Sequence, residues 1–188
     1  MPDLLHALRA GTRALHDQLD GAALSGRITD GTLSATDYVS LVTWQYAAHA
    51  AAEEGLEGFP WPGAYRYRGR RAVLSSEAEA LGLQLPRVRT LAPPRSLTEA
   101  TGRAYVLEGS SLGGNMLLGH LRSNERLASL GDFGFYAFQR DVGLRQWRAF
   151  VTFAKAQAWT AQEVDAAVAD AREVFGVFGR WMGGHPPA

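Results

Sequence analysis

Two tetrapeptides confine much of this chain to helices: Ser96-Leu97-Thr98-Glu99 and Thr160-Ala161-Gln162-Glu163. In each, a hydroxyl residue is followed three positions later by a glutamate, and the two side chains can each satisfy an amide left free at a helix start. The apolar residues have the matching period. Leu4, Leu8, Leu15 and Leu19 form one stripe with Thr12 between them, and the pattern fades at Gly21-Ala22-Ala23. Ser34 or Thr36 opens a second helix, with Tyr38, Leu41, Val42, Trp44, Gln45 and Ala48 on its inner face. Residues 55–69, rich in Gly, Pro and aromatics, read as a loop, 71–81 as a third helix, and Pro86, Pro93 and Pro94 as a connector. The helix opened at Ser96 runs toward Leu127, residues 131–138 read as an aromatic loop or turn, and 139–158 as another helix. The helix after Thr160 turns Val164, Val168, Ala171, Val174 and Phe175 inward and stops at Gly183-Gly184, leaving 183–188 as a flexible tail. The expectation is an all-α fold: six or seven helices in one domain spanning residues 1–188.

Composition removes several classes of function. Lys plus Arg and Asp plus Glu are 19 each, so no net field recruits nucleic acid or an anionic membrane. Lys155 is the only lysine, which makes the basic side chains almost all planar, bidentate guanidinium groups. With no cysteine there is no disulfide, thiolate metal site or cysteine nucleophile. No apolar stretch approaches the roughly 20 residues of a membrane helix. Met1-Pro2-Asp3-Leu4-Leu5-His6 lacks the basic and apolar segments of a signal peptide. A cytoplasmic protein is expected.

The segment that departs from helical grammar is Glu108-Gly109-Ser110-Ser111-Leu112-Gly113-Gly114-Asn115, inside the capped apolar helix. Three interior glycines cost about 3 kcal/mol relative to alanine at about 1 kcal/mol each. A phosphate loop is disfavoured, because Asn115-Met116 stand where that motif needs Lys and Ser or Thr, and no βα alternation surrounds them. Two readings remain: close packing of a neighbouring helix, or a flat ligand lying on exposed backbone. Gly109 and Gly113, one turn apart on one face, suit the latter.

Of the five histidines His6, His16, His49, His120 and His185, His16 has the most suggestive surroundings. A di-iron bundle would need Glu-x-x-His on two helices, and the nearest match is the single Asp3-x-x-His6. Arg9, Arg13 and His16 share a helix face, and Asp20, one turn on, can accept a hydrogen bond from the imidazole. One imidazole with an acidic orienter and nearby guanidinium groups suits a heme iron and its propionates. A solvated charged face is the alternative.

Together these segments resemble the heme oxygenase family. Leu8-Arg9-Ala10-Gly11-Thr12-Arg13-Ala14-Leu15-His16 is similar to that family's proximal helix, in which a threonine precedes the iron-binding histidine by four residues. Gly109-Ser110-Ser111-Leu112-Gly113-Gly114 resembles its kinked distal helix. The resemblance implies His16 as axial ligand with Asp20 behind it, and Arg9 at a propionate. Thr12 and Arg13 would lie beside the heme, with a further propionate partner on the Arg145/Arg148 helix, Arg148 being the candidate. It places Gly109, Ser110, Gly113 and Gly114 over the distal face. Animal members carry an aspartate where this chain has Ser110; bacterial members associated with bacteriophytochromes vary there, and this sequence looks closest to them. The implied activity is oxidative opening of heme to biliverdin, carbon monoxide and iron. It would use O2 and electrons from a ferredoxin or flavin reductase, and a bacteriophytochrome would receive the biliverdin. A heme carrier or sensor on the same fold is the competing function.

Overall fold

The computed structural model describes residues 3–22 and 24–182. Among them are eight α-helices and two short 3-10 turns: α1 (Leu4–Ala22), α2 (Ser25–Thr29), α3 (Ala35–Ala52), α4 (Arg71–Ala80), α5 (Leu97–Gly109), a 3-10 turn (Ser110–Gly113), α6 (Gly114–Ser123), a second 3-10 turn (Glu125–Leu127), α7 (Gly134–Ala156) and α8 (Ala161–Met182). Among the described residues no helix is long and apolar enough to cross a membrane. Ala23 of the small-residue run, the Gly183-Gly184 stop and the tail at 183–188 lie outside the described residues.

Caps account for most of the boundaries. Ser34 and Asp37 exchange the two bonds of a capping box at the start of α3, choosing Ser34 over Thr36. Thr160 and Glu163 do the same before α8: Glu163 N donates to Thr160 Oγ1 (3.2 Å) and Thr160 N to Glu163 Oε2 (2.8 Å). At α5 the motif is split. Ser96 Oγ accepts from Glu99 N (3.1 Å), but the Glu99 carboxylate accepts from Arg95 N (2.8 Å), one residue outside the cap.

Helix α8 forms the centre of the packing, with α1, α3 and α5 against it; α7 lies over α4, α5, α6 and the first 3-10 turn. Val164, Val168, Ala171, Val174 and Phe175 are all buried, as their spacing predicts. Close approach of α8 requires Gly102 on α5, where a Cβ would stand 2.4 Å from the Ala167 carbonyl oxygen.

Three expectations change. A short helix, α2, precedes Asp30, although five residues carry too little periodicity to announce it. The helix opened at Ser96 is interrupted at Ser110 and ends at Ser123 rather than near Leu127. The expected loop at 131–138 becomes helix from Gly134. There Phe133 adopts a left-handed backbone (φ 56°) and buries its ring, while the amide of Phe135 is capped by the Glu77 carboxylate from α4 (2.6 Å). A cap supplied by another helix leaves no local signature.

Candidate active site

On α1 the apolar stripe fixes which face is free. Leu4 and Leu8 are buried, and Thr12 is buried with its hydroxyl donating to the Leu8 carbonyl (2.7 Å). Arg9, Arg13 and His16 consequently face outward. The His16 side chain is 59% exposed, and its Nδ1 lies 3.1 Å from Asp20 Oδ2, one turn later. This leaves Nε2 as the nitrogen available to a ligand. The imidazole is edge-on to the Phe175 ring of α8 at 6.2 Å. Among the described residues no group of three His, Cys, Asp or Glu side chains is placed to hold a metal ion.

The glycine segment divides into positions with different neighbours. A Cβ at Gly109 would come no nearer than 3.7 Å to Trp147 Cζ3, and one at Gly113 no nearer than 3.7 Å to Leu117 Cδ1. Both are ordinary contact distances. A Cβ at Gly114 would lie 2.4 Å from Gln139 Cβ and 3.2 Å from the Gln139 carbonyl carbon, so this glycine lets α6 approach α7. The resemblance places all three over the distal face; of the three, only Gly114 has a close packing neighbour at its Cβ position. The surface nearby is unusually apolar, with Leu112 47%, Met116 59% and Leu144 52% exposed.

The two serines also separate. Ser110 is exposed, and its hydroxyl donates to the Leu107 carbonyl (2.8 Å), so its proton is turned back onto α5 while its lone pairs stay available. Ser111 is buried against α7, where Gly143 leaves room: a Cβ there would stand 2.8 Å from the Ser111 carbonyl oxygen.

Tyr105 connects the two motifs. It is in hydrogen-bonding reach of Thr12 and feels the charge of Arg9. Its ring is 5.8 Å from that of Trp147, whose edge faces Gly109. Burial raises its pKa above the ordinary phenol value, against smaller lowering effects from Thr12 and Arg9. Arg145 and Arg148, on the same helix as Trp147, are exposed.

Sequence reasoning missed the polar cluster beneath the break. Arg70 and Glu108 pair with both side chains fully buried. Tyr65 Oη donates to Glu108 Oε1 (2.7 Å), and Arg70 Nη2 also reaches Ser111 Oγ (3.1 Å). Close by, the wholly buried His49 packs edge-on to Phe135 and Phe178, with no protein hydrogen-bond partner at either nitrogen. Burial first, and the Arg70 charge second, depress its pKa well below the ordinary value. A signal did exist, in Glu108 placed among apolar residues just before the first glycine, but its partners come from a loop with no period to read.

The family model described as heme oxygenase matches residues 64–183. The chain belongs to the heme oxygenase family. That match includes the distal segment and α7 but begins after α1, so His16 lies outside it. No curated protein matches the chain. Among solved structures, the NO- and CO-bound heme oxygenase of Neisseria meningitidis shares the fold, with a TM-score of 0.69 and 24% identity over 100% of this chain and 96% of that one. As a heme oxygenase the protein is an enzyme of heme degradation.

Proposed function

We propose that this enzyme holds heme between α1 and the break joining α5 to α6, and opens it to biliverdin, carbon monoxide and iron with O2 and electrons from an external donor. Heme is both substrate and cofactor; when bound it supplies the iron at which oxygen is activated and the ring that is oxidised. The observation that carries the reading is the contrast at the break. Packing explains Gly114, whose Cβ position is taken by Gln139, but it does not explain Gly109 and Gly113, where an alanine would fit. A flat ligand lying on the backbone does.

The residues fit the group. His16 offers one imidazole nitrogen to iron, and Asp20 on the other fixes the tautomer and ring orientation. Arg9, Arg13 and Arg148 are exposed guanidinium groups suited to carboxylates. Leu112, Met116 and Leu144 match an apolar macrocycle. Gly109 and Gly113 bring backbone close to the distal face and exclude bulk there. Ser110, its own proton committed to Leu107, can accept a hydrogen bond from a water on that side. A ferredoxin or flavin reductase in the cytoplasm is the donor class, and the resemblance suggests a bacteriophytochrome as receiver of the product.

Aerobic incubation of the ferric heme complex with a reductant tests this. Loss of the Soret band with growth of a broad red biliverdin absorption, and biliverdin by chromatography, is the expected outcome. A stable oxygen complex with no ring opening would instead identify a carrier.

A further inference from the structure

The buried cluster under the break is not used by the heme-facing residues, and its geometry gives it a task. Arg70 is the residue before α4, and its side chain is itself fixed. Its backbone N–H donates to Glu53 Oε2 at the end of α3 (2.9 Å), its Nη1 donates to the Arg68 carbonyl (2.8 Å), and its guanidinium lies 4.9 Å from the Tyr67 ring centre. Glu53 also accepts from Tyr67 Oη (2.7 Å), which ties the loop carrying Arg70 to α3. Burial opposes the Arg70 charge, but Tyr67 and Glu108 hold its pKa above the ordinary value. From this anchored position Nη2 reaches Glu108 and Ser111 together, the two residues that bracket Gly109-Ser110.

We infer that Arg70 is a positioning residue: it clamps the α5–α6 break from below and so sets where the backbone of Gly109 and Gly113 lies against the ligand. The inference rests on the heme-facing reading above. Three observations support it. A 3-10 turn that ends in Gly113 and lies between Gly109 and Gly114 has weak intrinsic preference for one path. The turn is gripped on both sides, by Arg70 at the Ser111 side chain and by Gly143 of α7 at its carbonyl. Stability is a poor reason for the cluster, since apolar residues often replace a buried ion pair without loss, and Arg70 Nε has no protein partner.

The decisive variant is Arg70→Met/Glu108→Leu/Tyr65→Phe, which removes the clamp without stranding a charge; Arg70→Lys, which keeps the charge and loses the fork, is its companion. Amide hydrogen exchange of the apo protein reads the clamp without heme. Exchange across residues 109–114 should rise at least about tenfold in the apolar variant while α1 and α8 stay at parental rates, a local opening rather than global loss. Arg70→Lys should show a smaller rise in the same segment, and it carries the test if the apolar variant does not fold. Carbon monoxide bound to the ferrous heme complex reads positioning: the C–O stretching band should broaden or split relative to the parent. Unchanged exchange at 109–114 overturns the clamp. Raised exchange with an unchanged C–O band overturns positioning and leaves a structural tie. Failure of the heme-facing reading shows elsewhere, in a His16→Ala variant that keeps the parental heme spectrum.

Discussion

Replacing Gly113 by alanine adds one methyl group where the backbone is helical (φ −78°, ψ −12°) and the nearest atom to the new carbon would be Leu117 Cδ1 at 3.7 Å. The apo protein gains helix propensity, up to about 1 kcal/mol, and meets no clash. For a chain of this length 1 kcal/mol corresponds to about 2–4 °C in Tm, so the apo variant should melt at the parental temperature or a few degrees above. Gly114→Ala, one residue on, is the internal control. Its Cβ would stand 2.4 Å from Gln139 Cβ, and overpacking of this kind costs about 1–3 kcal/mol, so its Tm should fall. Function should separate from stability. On the proposed heme-facing reading the Gly113 methyl would project toward the heme and should slow ring opening per folded molecule. Calorimetry of the two apo variants, with aerobic heme turnover normalised to folded protein, reads both effects. A destabilised Gly113→Ala protein with normal turnover would refute the heme-facing assignment, and an unperturbed Gly114→Ala protein would refute the packing argument.

His16→Ala should leave the apo Tm nearly unchanged, since the side chain is exposed, but abolish the histidine-ligated heme spectrum and turnover, with added imidazole restoring part of the spectrum. Retention of the parental spectrum would reassign the ligand. Arg9→Glu should weaken heme affinity or shift the biliverdin isomer ratio without stopping ring opening; heme titration and product chromatography measure it, and no change in either returns Arg9 to the solvated face. Asp170 lies 3.2 Å from Arg103 Nε, yet burial outweighs that attraction and pushes its pKa up to about 6 from 3.8. Because the folded state holds this proton more tightly, the associated stability is full below pH about 4 and is lost as pH rises through about 6. The Tm of Asp170→Asn relative to the parent should therefore climb across that window; a pH-independent difference would contradict the assignment.

What could be read locally was read well. The capping box at Thr160, the opening of α3 at Ser34 or Thr36, the α8 core face and the glycine interruption all involve partners within one or two turns. The start of α7 escaped because its cap is Glu77, 58 residues away along the chain. The same limit applied at the site. The spacing of Arg9, His16 and Asp20 was visible because a helix turns spacing into a shared face, and the His16–Asp20 contact follows from it.

The amino-acid sequence by itself therefore determined the all-helical class, the exposed basic face of α1 and the existence of a break after Glu108, because each depends on helical period and propensity. Only the tertiary structure decided which glycines have a helix packed against them and which have room for a side chain. Gly113 and Gly114 are adjacent and chemically identical in the sequence, and they differ only in that α7 brings Gln139 against one of them. It also decided that Arg70 and Tyr65 converge on Glu108 and that Arg70 reaches Ser111 as well. A buried charge must find its partners in space, and nothing in the local spacing of residues specifies which distant segment will supply them.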